Sequence, residues 1–366
     1  MVLVYRNTNR TLFFQNTINN RYGRGKTADD IELELRESQK GEYGTNAVLL
    51  GGLAGFSIKT ARSKFNLNIM RLQNGESTAG QFNCVGQDQG SNFTATQHNL
   101  EYSQRSITNV LLNGTHTLGG EGLWKVDWKI SPTISNITDP DIRFTRIRKQ
   151  DDNYLVGTES GIPQRLWRYL DEMSLANRLD VAKEYKFGQE KAKLMFGGAY
   201  TYKKRDYEIL GFGIFPGSTD ISADPNQIFA QQNFFSNENP NGLYYNPQFT
   251  PKNVNQYESD VFSSAAYISN EITPFAKFKA VIGLRVESYI QRYSGINQDN
   301  VVFENERFLD DIDLFPTANL IYSLTDNQNL RFSYTQTIAR PSFKEASFAT
   351  IIDPISGQTF IGGLFP

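Results

Sequence analysis

No stretch of the 366-residue chain reaches the roughly 18 consecutive apolar residues that a membrane-crossing helix needs. The longest apolar run, Ala47 to Phe56, is too short and is broken by three glycines. Cysteine is nearly absent. Cys84 alone cannot form an internal disulfide and is read as a small loop residue. Only two histidines occur, His98 and His116, and they stand apart, so no structural zinc or other metal site is expected. Neither a Gly-x-Ser-x-Gly elbow nor a phosphate-cradling glycine loop accompanies them. The run Gly211-Phe212-Gly213-Ile214-Phe215-Pro216-Gly217 lacks a lysine and a following helix and is read as a strand end entering a loop. Asp151-Asp152 and Asp310-Asp311-Ile312-Asp313 lack the ordered spacing of a calcium loop and are read as solvated loop charges. With no catalytic residue and no cofactor site expected, an enzyme is not the reading. The formal net charge of −2 gives no electrostatic case for a nucleic-acid partner.

What the chain does have is aromatics on a polar background. Hydrophobic residues make up 39% and the mean hydropathy is −0.47, yet aromatics reach 13%, with 26 Phe and 18 Tyr. A barrel wall gives this mixture, because every second residue faces lipid and the others face water. The alternation is visible directly. From Trp124 to Ile134, Trp124, Val126, Trp128, Ile130 and Ile134 share one side, and Lys125, Asp127, Lys129, Ser131 and Thr133 the other. A period of two means a strand. Phe278, Ala280, Ile282, Leu284, Val286 and Ile290 repeat the pattern against Lys277, Lys279, Gly283, Arg285, Glu287 and Gln291. Trp167 to Phe187 carries aromatics at both ends and aliphatics between, as a strand crossing two membrane interfaces should. About 9 to 11 tilted residues cross a bilayer, so a strand of roughly twice that length projects beyond it.

Connections alternate in length as well. Turn-forming residues cluster near Ala61-Arg62-Ser63, Gly119-Gly120-Glu121-Gly122, Gly188-Gln189, Thr273-Pro274-Phe275 and Thr325-Asp326-Asn327. Between them lie polar stretches expected to be long loops, near 75–91, 139–164, 213–255 and 295–312. The expected fold is therefore all-β, an antiparallel up-and-down transmembrane barrel with its short turns on one side. About ten confident strands are counted, with a further one near Val2 to Phe14. Pro132 is expected to end or bulge its strand, since proline cannot donate to the ladder. Val261 to Ile272 has apolar residues in both registers, and Asn92 to Leu118 reads as one very long strand or two pieces.

The polar stretch 213–255 holds Phe234-Phe235 and Tyr244-Tyr245 among amides and prolines. Such aromatics suit contact with a glycan, a peptide or an aromatic siderophore, or else pack the loop against its neighbours. Lys125, Lys129, Lys279, Arg285, Glu287 and Arg331, with Asp127, fall in the water-facing register. They would line a substrate path or, more often for such residues, pair across strands or with a domain inside the barrel.

The segment Leu330-Arg331-Phe332-Ser333-Tyr334-Thr335-Gln336-Thr337-Ile338-Ala339-Arg340-Pro341-Ser342-Phe343 resembles the barrel signature of TonB-dependent receptors, especially the Bacteroidetes type. It follows Leu314-Phe315-Pro316-Thr317-Ala318-Asn319-Leu320 and precedes Asp353-Pro354, and Gly283-Leu284-Arg285-Val286-Glu287 is similar to a strand common in the same family. The resemblance is strongest over 256–354. It implies a bacterial outer-membrane barrel of about 22 strands with an N-terminal plug, importing a scarce ligand such as a siderophore, glycan, vitamin or peptide. It also implies the TonB complex as a partner acting through the plug, outer-membrane lipid around the wall and a surface lipoprotein as a further partner. Residues 1–366 are then expected to be part of such a barrel, ten or eleven strands of it. Met1 to Arg6 lacks the order of a signal peptide, and neither a plug nor a final strand ending in an aromatic residue is found. The competing readings are a passive porin-like barrel and a soluble all-β adhesin or carbohydrate-binding protein. A soluble sandwich would need a second sheet to cover the apolar faces of Trp124–Ile130 and Phe278–Val286.

Overall fold

The computed structural model describes residues 1–24, 32–88, 91–119, 124–150, 153–156, 161–215, 224–248, 254–352 and 359–362. The chain runs β1 (Val2–Arg24), β2 (Leu33–Lys59), β3 (Ser63–Asp88), β4 (Ser91–Leu118), β5 (Trp124–Gln150), β6 (Asn153–Leu155), β7 (Gln164–Phe187) and β8 (Glu190–Phe215). A helical turn α1 (Pro225–Ile228), a 3-10 turn (Gln231–Asn233) and β9 (Tyr244–Pro247) follow. The rest is β10 (Gln256–Phe275), β11 (Phe278–Ile296), β12 (Val302–Thr325), β13 (Gln328–Thr335), β14 (Thr350–Ile352) and β15 (Thr359–Ile361). Thirteen strands form one antiparallel sheet. Eleven of them lie side by side in chain order, from β1 at one edge through β13 at the other, while β6 pairs with β5 and β9 with β8. The sheet is a partial barrel and does not close. Among the described residues no helix is long and apolar enough to cross a membrane, which says nothing of crossing by strands.

Register turns the alternation of single strands into two continuous sides. Trp128 stands opposite Leu179, and the row continues through Gly198, Ala266, Val286 and Leu314 on successive strands. The adjacent row, Lys129, Arg178, Ala199, Ala265, Glu287 and Asp313, points the other way. A slip of one residue would exchange them, so burial of the apolar rows in lipid fixes the pairing. Ile268, Ile282 and Leu314 are 53%, 55% and 56% exposed, and no second sheet covers their side among the described residues. A soluble sandwich is thereby set aside.

Near the short turns the apolar side ends in aromatics. Phe275 stacks on Phe278 with ring centroids 5.0 Å apart, and the Lys183 ammonium sits 4.8 Å from the Trp124 ring. The Trp128 indole donates to His116 Nε2 at 2.9 Å, and His116 Nδ1 meets Ser63 Oγ at 2.9 Å. That indole lies over Gly114, where a Cβ would come within 2.5 Å of it. Glycine is there because the ring needs the space.

The short ends near Ala61-Arg62-Ser63, Gly188-Gln189 and Thr325-Asp326-Asn327 match the expected turns, Gly120-Glu121-Gly122 lies outside the described residues, and one turn is displaced: β10 runs through Thr273-Pro274-Phe275, and the hairpin reverses at Ala276-Lys277, where Lys277 takes φ 71°. The opposite end departs further. Residues 75–88 and 139–150, expected as loops, are strand, and β11 and β12 likewise occupy much of 295–312. Strands of 23 to 28 residues make β1 to β5 a tall wall. Above the bilayer both sides of a strand meet water or loops, so the hydrophobic alternation that marks a strand fades while the ladder hydrogen bonds persist. Asp310-Asp311-Ile312-Asp313 is accordingly part of β12 rather than a loop. Asp151-Asp152 lies outside the described residues.

Pro132 neither ends nor bulges its strand. β5 keeps one register against β7 from Trp124 to Asp139 with Pro132 opposite Leu175, and Asn109 Nδ2 bonds Ser131 Oγ and Thr133 Oγ1 beside it. The irregularity comes at the next proline, between Asp139 and Ile142, where Asp141 takes φ 62°. β4 is one strand, with its register shift against β5 between Leu100 and Gln104. β10 is also continuous. Cys84 is not a loop residue. It sits near the upper end of β3, wholly buried with Phe82, Phe93 and Ala95, and burial pushes its thiol up to about 11.

Candidate functional site

The side opposite the apolar rows is a lattice of ion pairs. Lys125 Nζ lies 3.0 Å from Asp127, Arg178 2.7 Å from Asp180, Lys279 2.5 Å from Glu271 and Arg285 2.8 Å from Glu287. The Tyr267 hydroxyl donates to Asp180 across the row at 2.6 Å. All six charges picked out in the sequence, Lys125, Lys129, Lys279, Arg285, Glu287 and Arg331, stand on this side, and Lys279 and Arg331 share a row through Ile321. Lys125, Lys279, Arg285 and Glu287 are ion-paired. Lys129 and Arg331 have no carboxylate within 4.0 Å among the described residues.

The densest knot is one that sequence reasoning passed over. Arg340 meets Asp313 at 2.5 Å, Asp311 at 3.5 Å and Glu287 at 3.7 Å, and lies 4.4 Å from the Tyr289 ring. The Gly-Leu-Arg-Val-Glu strand and the Ala-Arg-Pro-Ser-Phe segment, far apart in sequence, are thus joined by Arg285, Glu287 and Arg340. Phe343 follows the same course, buried under the Arg205 guanidinium at 4.8 Å, while Arg205 pairs with Glu172 at 2.5 Å. Ser342 donates from its backbone N–H and its hydroxyl to Glu345, both at 2.8 Å, and these bonds hold the Glu345 carboxyl below its usual range. Beyond it, Ala349 packs with Tyr257 and Tyr293, and Phe348 with Phe303 and Phe308. Residues 340–350 therefore form a strap across the polar side.

Parity explains why the chain leaves the wall. Thr335 stands opposite Thr317; one-for-one continuation would set Arg340 opposite Ile312, a residue of the apolar side that is 74% exposed. An arginine there would face lipid or its margin, and Pro341 would have no N–H for the ladder. A strand ending in Arg-Pro at that parity is the signal that could have located the strap.

The four loop aromatics are divided. Phe234 stacks on Tyr245, centroids 5.1 Å apart and planes within 1°, and also packs against the cluster of Ile147, Val156, Ile214, Ile228 and Leu243. Tyr244 stacks on Phe215 at 5.6 Å. Arg165 is the centre of this group, 5.1 Å from the Trp167 ring, 5.8 Å from Tyr245 and bonded to Asp141 at 2.6 Å. It also donates to the Tyr245 hydroxyl. Phe235 is held outward, 65% exposed, by a loop braced from Phe235 N to Leu243 O and between Ser236 and Asn239. Trp167 and Arg165 stand on the same side of β7 as Leu175, Leu179 and Val181, so the loop lies along the side continuous with the apolar band. Among the described residues no group of three or more His, Cys, Asp or Glu side chains is placed to hold a metal.

A wall of long antiparallel strands, apolar on one side and charge-paired on the other, defines a transmembrane β-barrel protein of the outer-membrane kind. The chain belongs to the family described as "TonB dependent receptor-like, beta-barrel", whose model matches residues 5–364. Barrels of this family reside in the bacterial outer membrane. It is a family of receptors and transporters rather than of enzymes. No curated protein matches the chain in sequence. Among solved structures it is similar to the siderophore receptor PiuA from Acinetobacter baumannii, with 11% identity, 83% of this chain and 47% of that one covered, and a TM-score of 0.41. It is also similar to the ferric-catecholate import receptor Fiu from E. coli K12 in its closed form, with 10% identity, 82% and 49% covered, and a TM-score of 0.40. The ferric citrate transporter FecA follows at 10% identity, 81% and 42% covered, and 0.39. The chain spans somewhat under half the length of these structures.

Proposed function

We propose that this chain is part of the wall of a receptor that captures a scarce ligand at the cell surface and passes it inward with energy delivered by the TonB complex. The observation that carries the reading is the continuous charge-paired side of an eleven-strand wall in a chain of this family. On this reading that side faces the barrel interior, and Lys125, Lys129, Lys279, Arg285, Glu287 and Arg331 border the passage. Phe235 and Tyr244, with Phe234 and Tyr245 behind them, are placed to meet a ligand outside. The reading extends to a plug, through which TonB acts, and to a signal peptide and final strands, all beyond residues 1–366. The Thr337–Phe343 segment and Leu314-Phe315-Pro316 support the Bacteroidetes type and, with it, a surface lipoprotein as partner. The ligand is a siderophore, glycan, vitamin or peptide.

The test is uptake in cells carrying the whole gene. Growth on a limiting ligand should require the gene and should stop when TonB is deleted or the proton-motive force is collapsed. Uptake that persists without either would make the protein a passive pore and end the energised reading.

A further inference from the structure

Where the upper wall sets two cations directly opposite each other, it supplies a carboxylate beside them. Arg143 stands opposite Arg165, and Asp141 lies 2.6 Å from each. Arg292 stands opposite Arg307, which takes Asp310 at 2.7 Å. Like charges in direct register repel, and the carboxylate is what makes such a pair tolerable.

The lower polar side, near the short turns, breaks this pattern. Lys59 faces Lys64 at the β2–β3 hairpin, Lys129 faces Arg178 between β5 and β7, and Lys186 faces Lys191 at the β7–β8 hairpin. Arg178 has Asp180 at 2.7 Å. The others have no carboxylate within 4.0 Å among the described residues. The carboxylates that stand near them are already committed: Asp127 to Lys125 and the Thr115 hydroxyl, Asp180 to Arg178 and the Tyr267 hydroxyl, Glu271 to Lys279. Glu184 is unpaired, but it is exposed and Lys193 stands opposite it. Higher on the same side the wall balances itself, with Arg146 on Glu37 at 2.7 Å, Arg205 on Glu172 at 2.5 Å and Arg168 on Asp139.

Water screens the lysines at the two hairpin tips. Lys129 is not at a tip. It follows Trp128, whose row continues through Leu179 and Val286 on the apolar side, so it stands within the membrane span and points away from lipid. Lipid headgroups cannot reach it, and what supplies its counter-charge must lie inside the barrel.

We infer that the lower polar side from β2 to β8 is the seat of the plug, and that the plug turns an acidic face to it, with carboxylates on Lys64, Lys129 and the Lys186–Lys191 pair. The inference rests on the reading that the whole protein carries a plug. What it adds is the place of the contact and the sign of the charge: the wall is the basic partner here, although the chain as a whole has a formal net charge of −2.

The test treats full-length protein in outer-membrane fragments with a water-soluble carbodiimide, which joins a lysine amine to a carboxylate in contact with it, and maps the amide links by mass spectrometry. Links from Lys64, Lys129 and Lys186 or Lys191 to carboxylates of the plug are expected. Links only to carboxylates within residues 1–366, links to another polypeptide, or no link from these lysines overturn the inference. A second arm follows plug retention as the open fraction of single channels in planar bilayers. Lys64→Gln, Lys129→Gln and Lys186→Gln combined should raise it about tenfold, and the three Lys→Arg changes, which keep the charge, should leave it unchanged. If no acidic face meets these lysines, the glutamines only relieve repulsion within the wall; an open fraction that stays the same or falls therefore overturns the inference as well. Uptake that needs TonB while no link reaches the plug defeats the acidic seat alone, whereas a whole protein without a plug defeats the reading beneath it.

Discussion

Arg340 serves three carboxylates with one planar cation, and its side chain is only 11% exposed. Replacing it with alanine would leave Glu287, Asp311 and Asp313 facing each other without a counter-charge and would free the strap that Phe343 and Ala349 anchor further on. Hydrogen bonds to charged groups contribute about 1.5–3 kcal/mol each; the Asp313 bond is the short one, so a loss of about 2 kcal/mol is expected for Arg340→Ala. Lysine keeps the charge but not the fork, so Arg340→Lys should recover less than half of it. Thermal unfolding of the full-length protein in detergent measures the loss, and limited proteolysis should cut the alanine variant within the strap. Equal stability and equal resistance to protease would mean that Arg340 is not what holds the segment. The sequence pointed to this residue only as part of a family resemblance, because the partners of Arg340 lie on two other strands and pairing across strands leaves no local trace. Cys84 was hidden for the same reason: Phe93 and Ala95, which bury it, come from β4.

At the scale of the strand, alternation was readable wherever lipid demands it. Trp124–Ile134 and Phe278–Ile290 reveal their sides in the sequence because one side must be apolar to face hydrocarbon and the other polar to face water. The same strands became unreadable above the membrane. Asn, Gly, Gln and Ser between residues 75 and 88 look like a loop, yet β3 pairs through all of them with β2 or β4. Pro132 misled in the opposite sense: its missing donor is tolerated where neighbouring side chains brace the site, and the bend falls at Asp139-Pro140-Asp141 instead. The assignment of sides can be tested by exchanging a single parity. Leu284→Arg places a cation on the apolar side of β11 and should cost roughly 2–4 kcal/mol if that residue lies near the bilayer midplane. Arg285→Leu, one residue on, removes only a partly exposed pair with Glu287 and should cost about 1 kcal/mol or less. Equilibrium folding into lipid vesicles reads both. Equal costs, or the reverse order, would put the lipid on the wrong side of the wall.

For the sheet as a whole, closure is the governing constraint. Strands between the edges pair on both sides, but among the described residues β1 offers one long edge, and β13 together with the part of β12 above Thr317 offers the other, since β13 pairs only with Thr317–Thr325. In hydrocarbon each unpaired backbone group costs several kcal/mol, and in water the same edges template association with other chains. The apolar side compounds the problem, because Ile268, Ile282 and Leu314 are covered by nothing in the sheet itself. Ion pairs on the polar side cannot offset this: they are made along a strand or between neighbouring strands that pair whether or not the barrel closes. Residues 1–366 expressed alone should therefore aggregate in buffer and insert poorly into vesicles, whereas the same wall within the whole protein should be protected at both edges. Size-exclusion chromatography without detergent separates the outcomes. A monodisperse, soluble product with intact strand content would show that the apolar side has found a partner other than lipid, and the membrane reading of this wall would fall with it.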